Sequence, residues 1–294
     1  HYKILNDLYK LIKCTDFNCL HAHSLFTNGS IALKVSKKYK IPYVVAVRDT
    51  DLNVFFKYMI HLRKLGLKIL SHADKIVFLS RPYRDFLLKN YVPENMRNVI
   101  QNKSIIIPNG IEEFWLKNKG CAKKLNDKKN IKLLYVGQIS KRKNVEITAK
   151  AIQLLRNKGY NATLTVVGKI IDTAVFNNIK DLSYVNYISP VSKDKLINVY
   201  RQNDIFVMPS KRETFGLVYA EAMSQGLPVI YTYGQGFDGQ FEEGKVGYHV
   251  NSSDPYDIKN KILQIIDNYE SLSKNCIQAV EKFNWTKIAE IYTQ

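Results

Sequence analysis

The stretch Asp204-Ile-Phe-Val-Met-Pro-Ser-Lys-Arg-Glu213-Thr-Phe-Gly216-Leu-Val-Tyr-Ala-Glu221 decides how this chain is read. Residues 205–208 are a short continuous apolar run, the pattern of a strand buried on both faces of a parallel sheet. Pro209 and Ser210 break the run, and a helical pattern begins near Gly216. A strand that passes through a short loop into a helix puts that loop at the strand's carboxyl end, where open α/β sheets bind ligands. The helix N-terminus there offers unpaired N–H groups that favour phosphate. Gly216 allows close backbone approach. Glu213 stands on the loop and Glu221 about two turns further on. This spacing leaves two readings open. The carboxylates accept hydrogen bonds from sugar hydroxyls at either end of a nucleotide-sugar, or Glu213 merely caps the helix and Glu221 is solvated.

The same alternation continues on both sides. Apolar runs predict strands at 17–20, 43–47, 75–79, 103–107, 131–136, 162–167, 185–188 and 228–231. Periodic segments predict helices at 30–39, 53–71, 82–89, 145–158, 193–202 and 217–225, with a helical pattern over 256–294 and Trp285 as its anchor. Strand–helix alternation of this kind implies βαβ units and doubly wound parallel sheets. Pro108-Asn109-Gly110 and the Lys- and Asn-rich stretch 117–130 mark a boundary, after which a second βα series starts. The expected domains are therefore 1–108 and 109–294, in keeping with a length of 294 residues.

Composition narrows the class. Hydrophobic residues make up 46% and aromatic residues 12%, so the chain can bury cores and is not a disordered type. The four cysteines, Cys14, Cys19, Cys121 and Cys276, have neither CxxC spacing nor the density of a disulfide framework, and they read as free thiols in a reducing compartment. No apolar run is long enough to span a membrane, which points to a cytoplasmic protein. The formal net charge is +18, and residues 1–108 hold 18 Lys and Arg against 7 Asp and Glu. That bias suits an anionic partner such as a phosphorylated substrate or the surface of an anionic membrane. An A- and T-rich genome would give the same Lys-rich composition. No nucleic-acid-binding motif is present, and nucleic acid is not an expected partner.

A second loop carries cations. In Leu134-Tyr-Val-Gly137-Gln-Ile-Ser-Lys141-Arg142-Lys143-Asn144 a strand stops at Gly137, and a helix follows Asn144, which is suited to N-capping. Three cations between a strand end and a helix start can bind a pyrophosphate, Arg by its fork and Lys as a point charge. Taken alone, the loop reads first as a solvated basic turn. His21 and His23 follow the predicted strand 17–20. Two apart in extended chain, they share a face without an evident third ligand, so no metal is expected, and a packing role or a cleft-lining place, assigned to His23 on the acceptor side, is expected instead. Residues 53–70 mix aromatic and basic side chains at helical spacing. They suit an ordinary amphipathic core helix, or a surface for a lipid-linked acceptor.

Together the two loops resemble glycosyltransferase family 4, a group with the GT-B fold. Ser210-Lys-Arg-Glu213-Thr-Phe215-Gly216-Leu217 is similar to its S-x-x-E-x-F-G-L motif, with Glu221 completing Glu-x7-Glu. Val136-Gly137-Gln138-Ile139-Ser-Lys-Arg142-Lys143-Asn144 is similar to its V-G-R-L-x-x-R-K-N loop. Ile107-Pro108-Asn109-Gly110-Ile111 resembles the entry to its donor domain, Gly226-Leu-Pro228-Val-Ile its next strand and Gly244-x-x-Gly247 its closing turn. The likeness is densest over 107–250.

The resemblance implies two Rossmann-like domains facing across a cleft, with the last helix returning to the N-terminal domain. It also implies a retaining transfer of a hexose from a nucleotide-diphosphate sugar to a saccharide or lipid-linked saccharide, without metal or other cofactor, in bacterial surface-polysaccharide synthesis. Glu221 would hold the ribose, Glu213 the transferred sugar, and Lys143 with Arg142 the diphosphate. The backbone at Gly137, Phe215, Gly216, Leu217 and Val218 would line the donor, and Pro190 with Val191 would pack on the base. Three features depart from the pattern: Gln138 replaces the loop arginine, Arg48 stands where many members carry a histidine, and the family's first strand and glycine-rich loop are not found ahead of the predicted strand at 17–20. Arg48 can bind phosphate but cannot accept a proton at neutral pH. These departures keep a second reading open, a non-catalytic GT-B subunit that binds a partner or a sugar nucleotide.

Overall fold

Strands buried on both faces need apolar residues throughout, and parallel sheets form where those runs recur. In the computed structural model, which describes residues 2–11 and 17–293, the chain divides into two compact units, His1–Pro108 and Asn109–Gln294.

The first unit holds β1 (Leu20–Ala22), β2 (Tyr43–Val47), β3 (Lys75–Phe78) and β4 (Ser104–Ile106) in one parallel sheet, ordered β1-β2-β3-β4. Tyr43, Val45, Ile76 and Phe78 fill its core together with Leu25, Phe26, Phe56 and Ile69. The expected strand at 17–20 lies further along, because the parallel register pairs Leu20 with Tyr43 and Ala22 with Val45, leaving Phe17 about half exposed. The single helix expected over 53–71 is three pieces: a π-helical segment Asp51–Phe56, a 3-10 turn Ile60–Leu62 and an α-helix Arg63–His72. Hydrogen bonds at both ends of the π-helical segment accompany the break. Buried Asp51 accepts backbone N–H bonds from Leu25, Phe26 and Arg48, and Arg63 Nε donates to the carbonyl of Phe56. Helices Tyr2–Leu11 and Glu94–Asn102 were not read from the sequence, since both are short and rich in polar residues.

The second unit holds β5 (Asn130–Val136), β6 (Asn161–Val167), β7 (Val185–Ile188), β8 (Ile205–Val207), β9 (Val229–Thr232) and β10 (Gly247–Val250). All pair in parallel, in the order β10-β9-β8-β5-β6-β7. The chain builds outward from β5 to β7, then returns to lay β8 on the other side of β5. This reversal is the topological switch point of a doubly wound sheet. It lies between the carboxyl ends of β5 and β8, from which the two loops singled out above emerge. Edge strand β10 was not read from the sequence; it begins at Gly247, the last residue of the turn expected over 244–247. The closing helix Trp285–Thr293 belongs to the same unit, with the Trp285 ring against Gly110, where a Cβ would approach within 2.6 Å.

Candidate active site

The basic loop after β5 is held from below. Gly137 N–H donates to Val167, buried Ile139 bonds Lys169, and the Tyr135 hydroxyl donates to the carbonyl of Gln138. The Ser140 carbonyl then accepts from both Lys143 and Asn144, which turns the chain into helix Val145–Arg156. Asn144 differs from expectation. It occupies the N-cap position in a left-handed conformation, φ 63°, and makes no side-chain cap. Its amide instead donates to the carbonyls of Pro209 (3.0 Å) and Ser252 (2.7 Å). One buried side chain thus ties the loops after β5, β8 and β10 together.

The loop after β8 is fastened to the same place. Arg142 Nη1 donates to the Arg212 carbonyl at 3.0 Å, and Lys211 N–H donates to the Arg142 carbonyl at 2.9 Å. Lys143 Nζ forms an ion pair with Glu213 Oε2, both side chains being largely buried. The N-cap position of the helix that follows is Gly216. The Glu213 backbone is clamped by a third loop: Glu213 N–H donates to Gln235 Oε1 (2.9 Å), and Gly236 N–H donates to the Glu213 carbonyl (3.0 Å). Gly236 is required by this approach, since a Cβ there would sit 1.9 Å from the Thr214 carbonyl oxygen.

Gly216 precedes helix Leu217–Ser224 at φ 79°, a conformation that favours glycine, with the Tyr219 ring directly beneath it. The Phe215 side chain is buried, in edge contact with Phe237 and Phe283, so its ring is closed to a ligand. Leu217 is exposed and Val218 half-buried. Glu221 is only partly exposed. Its Oε2 accepts a hydrogen bond from the Tyr200 hydroxyl at 3.1 Å, and burial pushes its carboxyl up to about 7 despite that bond. Pro190 and Val191 lie between β7 and helix Lys193–Gln202, the helix that carries Tyr200.

Arg48 and His23 meet in the first unit, where Arg48 Nε donates to the His23 carbonyl at 3.0 Å. The His21 and His23 rings lie 4.2 Å apart and tilted. Burial and the neighbouring His23 and Arg48 lower the His21 pKa. Among the described residues no group of three or more His, Cys, Asp or Glu side chains is set to hold a metal ion. Tyr200, Gln235 and Gly236 were missed by sequence reasoning. Tyr200 reads as an ordinary helical aromatic, and the loop after β9 carries no cation or carboxylate spacing that would mark it.

The second unit thus brings a cation, a paired carboxylate and a helix N-terminus to a switch point, with another carboxylate on that helix. The profile of the family described as Glycosyl transferases group 1 matches residues 118–283, and that of Glycosyltransferase Family 4 matches residues 1–113. The chain belongs to the group 1 glycosyltransferases. An uncharacterized glycosyltransferase of Methanocaldococcus jannaschii is 28% identical over 283 residues, covering 94% of this chain and 74% of that protein. The capsular polysaccharide biosynthesis glycosyltransferase CapM of Staphylococcus aureus is 28% identical over 283 residues, covering 90% of this chain and 73% of its own. The fold of this glycosyltransferase is GT-B. It matches Anabaena HepE, solved in complex with UDP, with a TM-score of 0.74 at 15% identity, over 99% of this chain and 80% of that one.

Proposed function

We propose that this glycosyltransferase moves a hexose, with retention of anomeric configuration and without a metal, from a nucleoside-diphosphate sugar to a saccharide or lipid-linked saccharide acceptor. The observation that carries this reading is the meeting of Lys143, Glu213 and the Gly216 helix start at the switch point. As the bond between the sugar C1 and the donor phosphate oxygen breaks, negative charge develops on the diphosphate. Lys143, Arg142 and the helix N-terminus would stabilise it. A phosphate oxygen takes the proton of the acceptor hydroxyl, whose oxygen bonds C1 on the face the leaving group vacates. Glu213 would hold hydroxyls of the transferred sugar and Glu221 those of the ribose, with Pro190 and Val191 against the base. In the ligand-free protein Lys143 is paired with Glu213, so donor phosphate would take over a cation that is already positioned.

The likeness to a capsular polysaccharide glycosyltransferase supports a role in surface-polysaccharide synthesis. Among the described residues no helix is long and apolar enough to cross a membrane. Exposed Tyr58 and Ile60 stand among exposed Lys57, His61, Lys64 and Lys68, which supports cytoplasmic action at an anionic membrane surface. Thermal-shift measurements with UDP, GDP, ADP, CMP and dTDP in EDTA test the donor site, because a ligand bound only by the folded state raises the melting temperature. A shift with one diphosphate is expected, and UDP is the first probe because HepE was solved with it. No shift with any of them would sink the transferase reading and leave the non-catalytic one. Retention is checked by NMR of the first-formed product's anomeric configuration.

A further inference from the structure

Tyr200 lies outside every motif on which the functional reading rests, yet it is fully buried and points at one of the site's carboxylates. Its ring stands edge-on to Trp115, centroids 5.5 Å apart, and tilted against Phe206 at 6.2 Å. That packing fixes the phenol oxygen 3.1 Å from Glu221 Oε2, with the Val218 carbonyl 3.5 Å away. A tyrosine hydroxyl buried in an apolar setting needs a partner, and here the partner is Glu221.

We propose that Tyr200 is a positioning residue for donor binding, whose hydroxyl holds one oxygen of Glu221 in place and leaves the other to accept the ribose hydroxyls. This rests on the reading of Glu221 as the ribose-binding carboxylate. The electrostatics agree with the geometry. A ribose diol donates hydrogen bonds, so it is bound best by an ionised, acceptor-only carboxylate. Burial works against the ionised form, and the Tyr200 bond works for it. The nearby Glu112, just ahead of helix Glu113–Lys117, disfavours the anion further and is itself paired with Lys193. Removing the Tyr200 hydroxyl therefore leaves a carboxyl that stays protonated to higher pH, and such a group offers the ribose a donor in place of an acceptor.

The test is calorimetric binding of UDP, GDP and ADP to the full chain from pH 6 to 9 in EDTA. For wild type, the dissociation constant of the diphosphate that binds should fall by up to about tenfold per pH unit below 7 and level off above it. In Tyr200→Phe the levelling-off should move up by about one pH unit, so that binding is several-fold weaker at pH 7 and within about twofold of wild type at pH 9. Glu221→Gln should bind weakly with no such pH dependence in either background. Should Tyr200→Phe not fold, 3-fluorotyrosine at position 200 keeps the ring, strengthens the donor and should move the levelling-off the other way. Loss by the same factor at every pH, or no loss, overturns the positioning role and leaves the donor site standing. If wild type binds none of the three diphosphates, the ribose role of Glu221 fails and this inference falls with it.

Discussion

Glu221 and Lys143 carry the sharpest expectations at the scale of single residues. Glu221→Ala should weaken diphosphate binding by about 1–3 kcal/mol, the range for losing hydrogen bonds to a charged group. Lys143→Ala should lower turnover far more than it weakens nucleoside binding, and unchanged turnover would remove Lys143 from the chemistry. Glu221 also makes stability depend on pH. Its folded-state value of about 7 lies above the ordinary 4.5, so burial disfavours the anion. The stability it contributes is full below about pH 4.5 and is lost as the pH rises through 7. Relative to Glu221→Gln, the ligand-free protein should lose about 2 kcal/mol between pH 5 and 7.5, read by urea unfolding. Asn144 tests a different property. Asn144→Ala removes two buried hydrogen bonds and puts alanine into a left-handed conformation, so it should cost about 2–4 kcal/mol. Asn144→Gly should recover the conformational part of that loss.

Three connecting loops, rather than one, build the candidate site. The loop after β5 brings the cations, the loop after β8 brings Glu213, and the loop after β9 fastens Glu213 from behind. The last is itself braced, since Gly234 N–H donates to Asp238 Oδ2 and Asp238 faces His249 on β10. Gly236→Ala should therefore push the Glu213 loop out of place. The expected outcome is a folded protein, by circular dichroism, whose donor turnover falls by about tenfold or more, since small misplacements near the reacting groups are costly. A substitution of the same kind acts elsewhere on packing alone. A Cβ at Gly66 would meet the Phe26 and Phe56 rings at 2.7 and 2.8 Å, so Gly66→Ala should destabilise the first unit by about 1–3 kcal/mol without touching the second unit's nucleotide affinity.

For the molecule as a whole, the decisive property is the uneven distribution of charge. The first unit carries 18 basic against 7 acidic residues, and its exposed Tyr58 and Ile60 are set among lysines. If the proposed membrane contact holds, sedimentation with anionic vesicles should exceed that with neutral vesicles and should weaken steeply as salt rises from about 0.1 to 0.5 M, because screening shortens the reach of surface charge. Equal sedimentation with both vesicle types would remove the membrane from the reading.

The chain's own pattern determined a great deal. Apolar runs placed β2 and β7 residue for residue and most other strands within one or two. For central strands such as β2 the reason is that a strand buried on both faces cannot hide polar residues, whereas β7 is a half-exposed edge strand that carries Asn186. The same pattern put Lys143 and Glu213 on loops at strand ends, and their spacing made the family resemblance legible. It placed β1 too early, left β10 unread and ran 53–71 as one helix. Each of those depends on a partner far along the chain: β2 sets the register of β1, β9 supplies the ladder for β10, and Asp51 is held by Leu25 and Phe26. The candidate site divides in the same way. Which residue types stand at the strand ends is local information. That Lys143 reaches Glu213, that Asn144 braces three loops, that Gln235 and Gly236 clamp Glu213 and that Tyr200 holds Glu221 was decided only when the sheet reversed its winding between β5 and β8. Hydrogen bonds across 21 to 108 residues of sequence leave no periodicity to read.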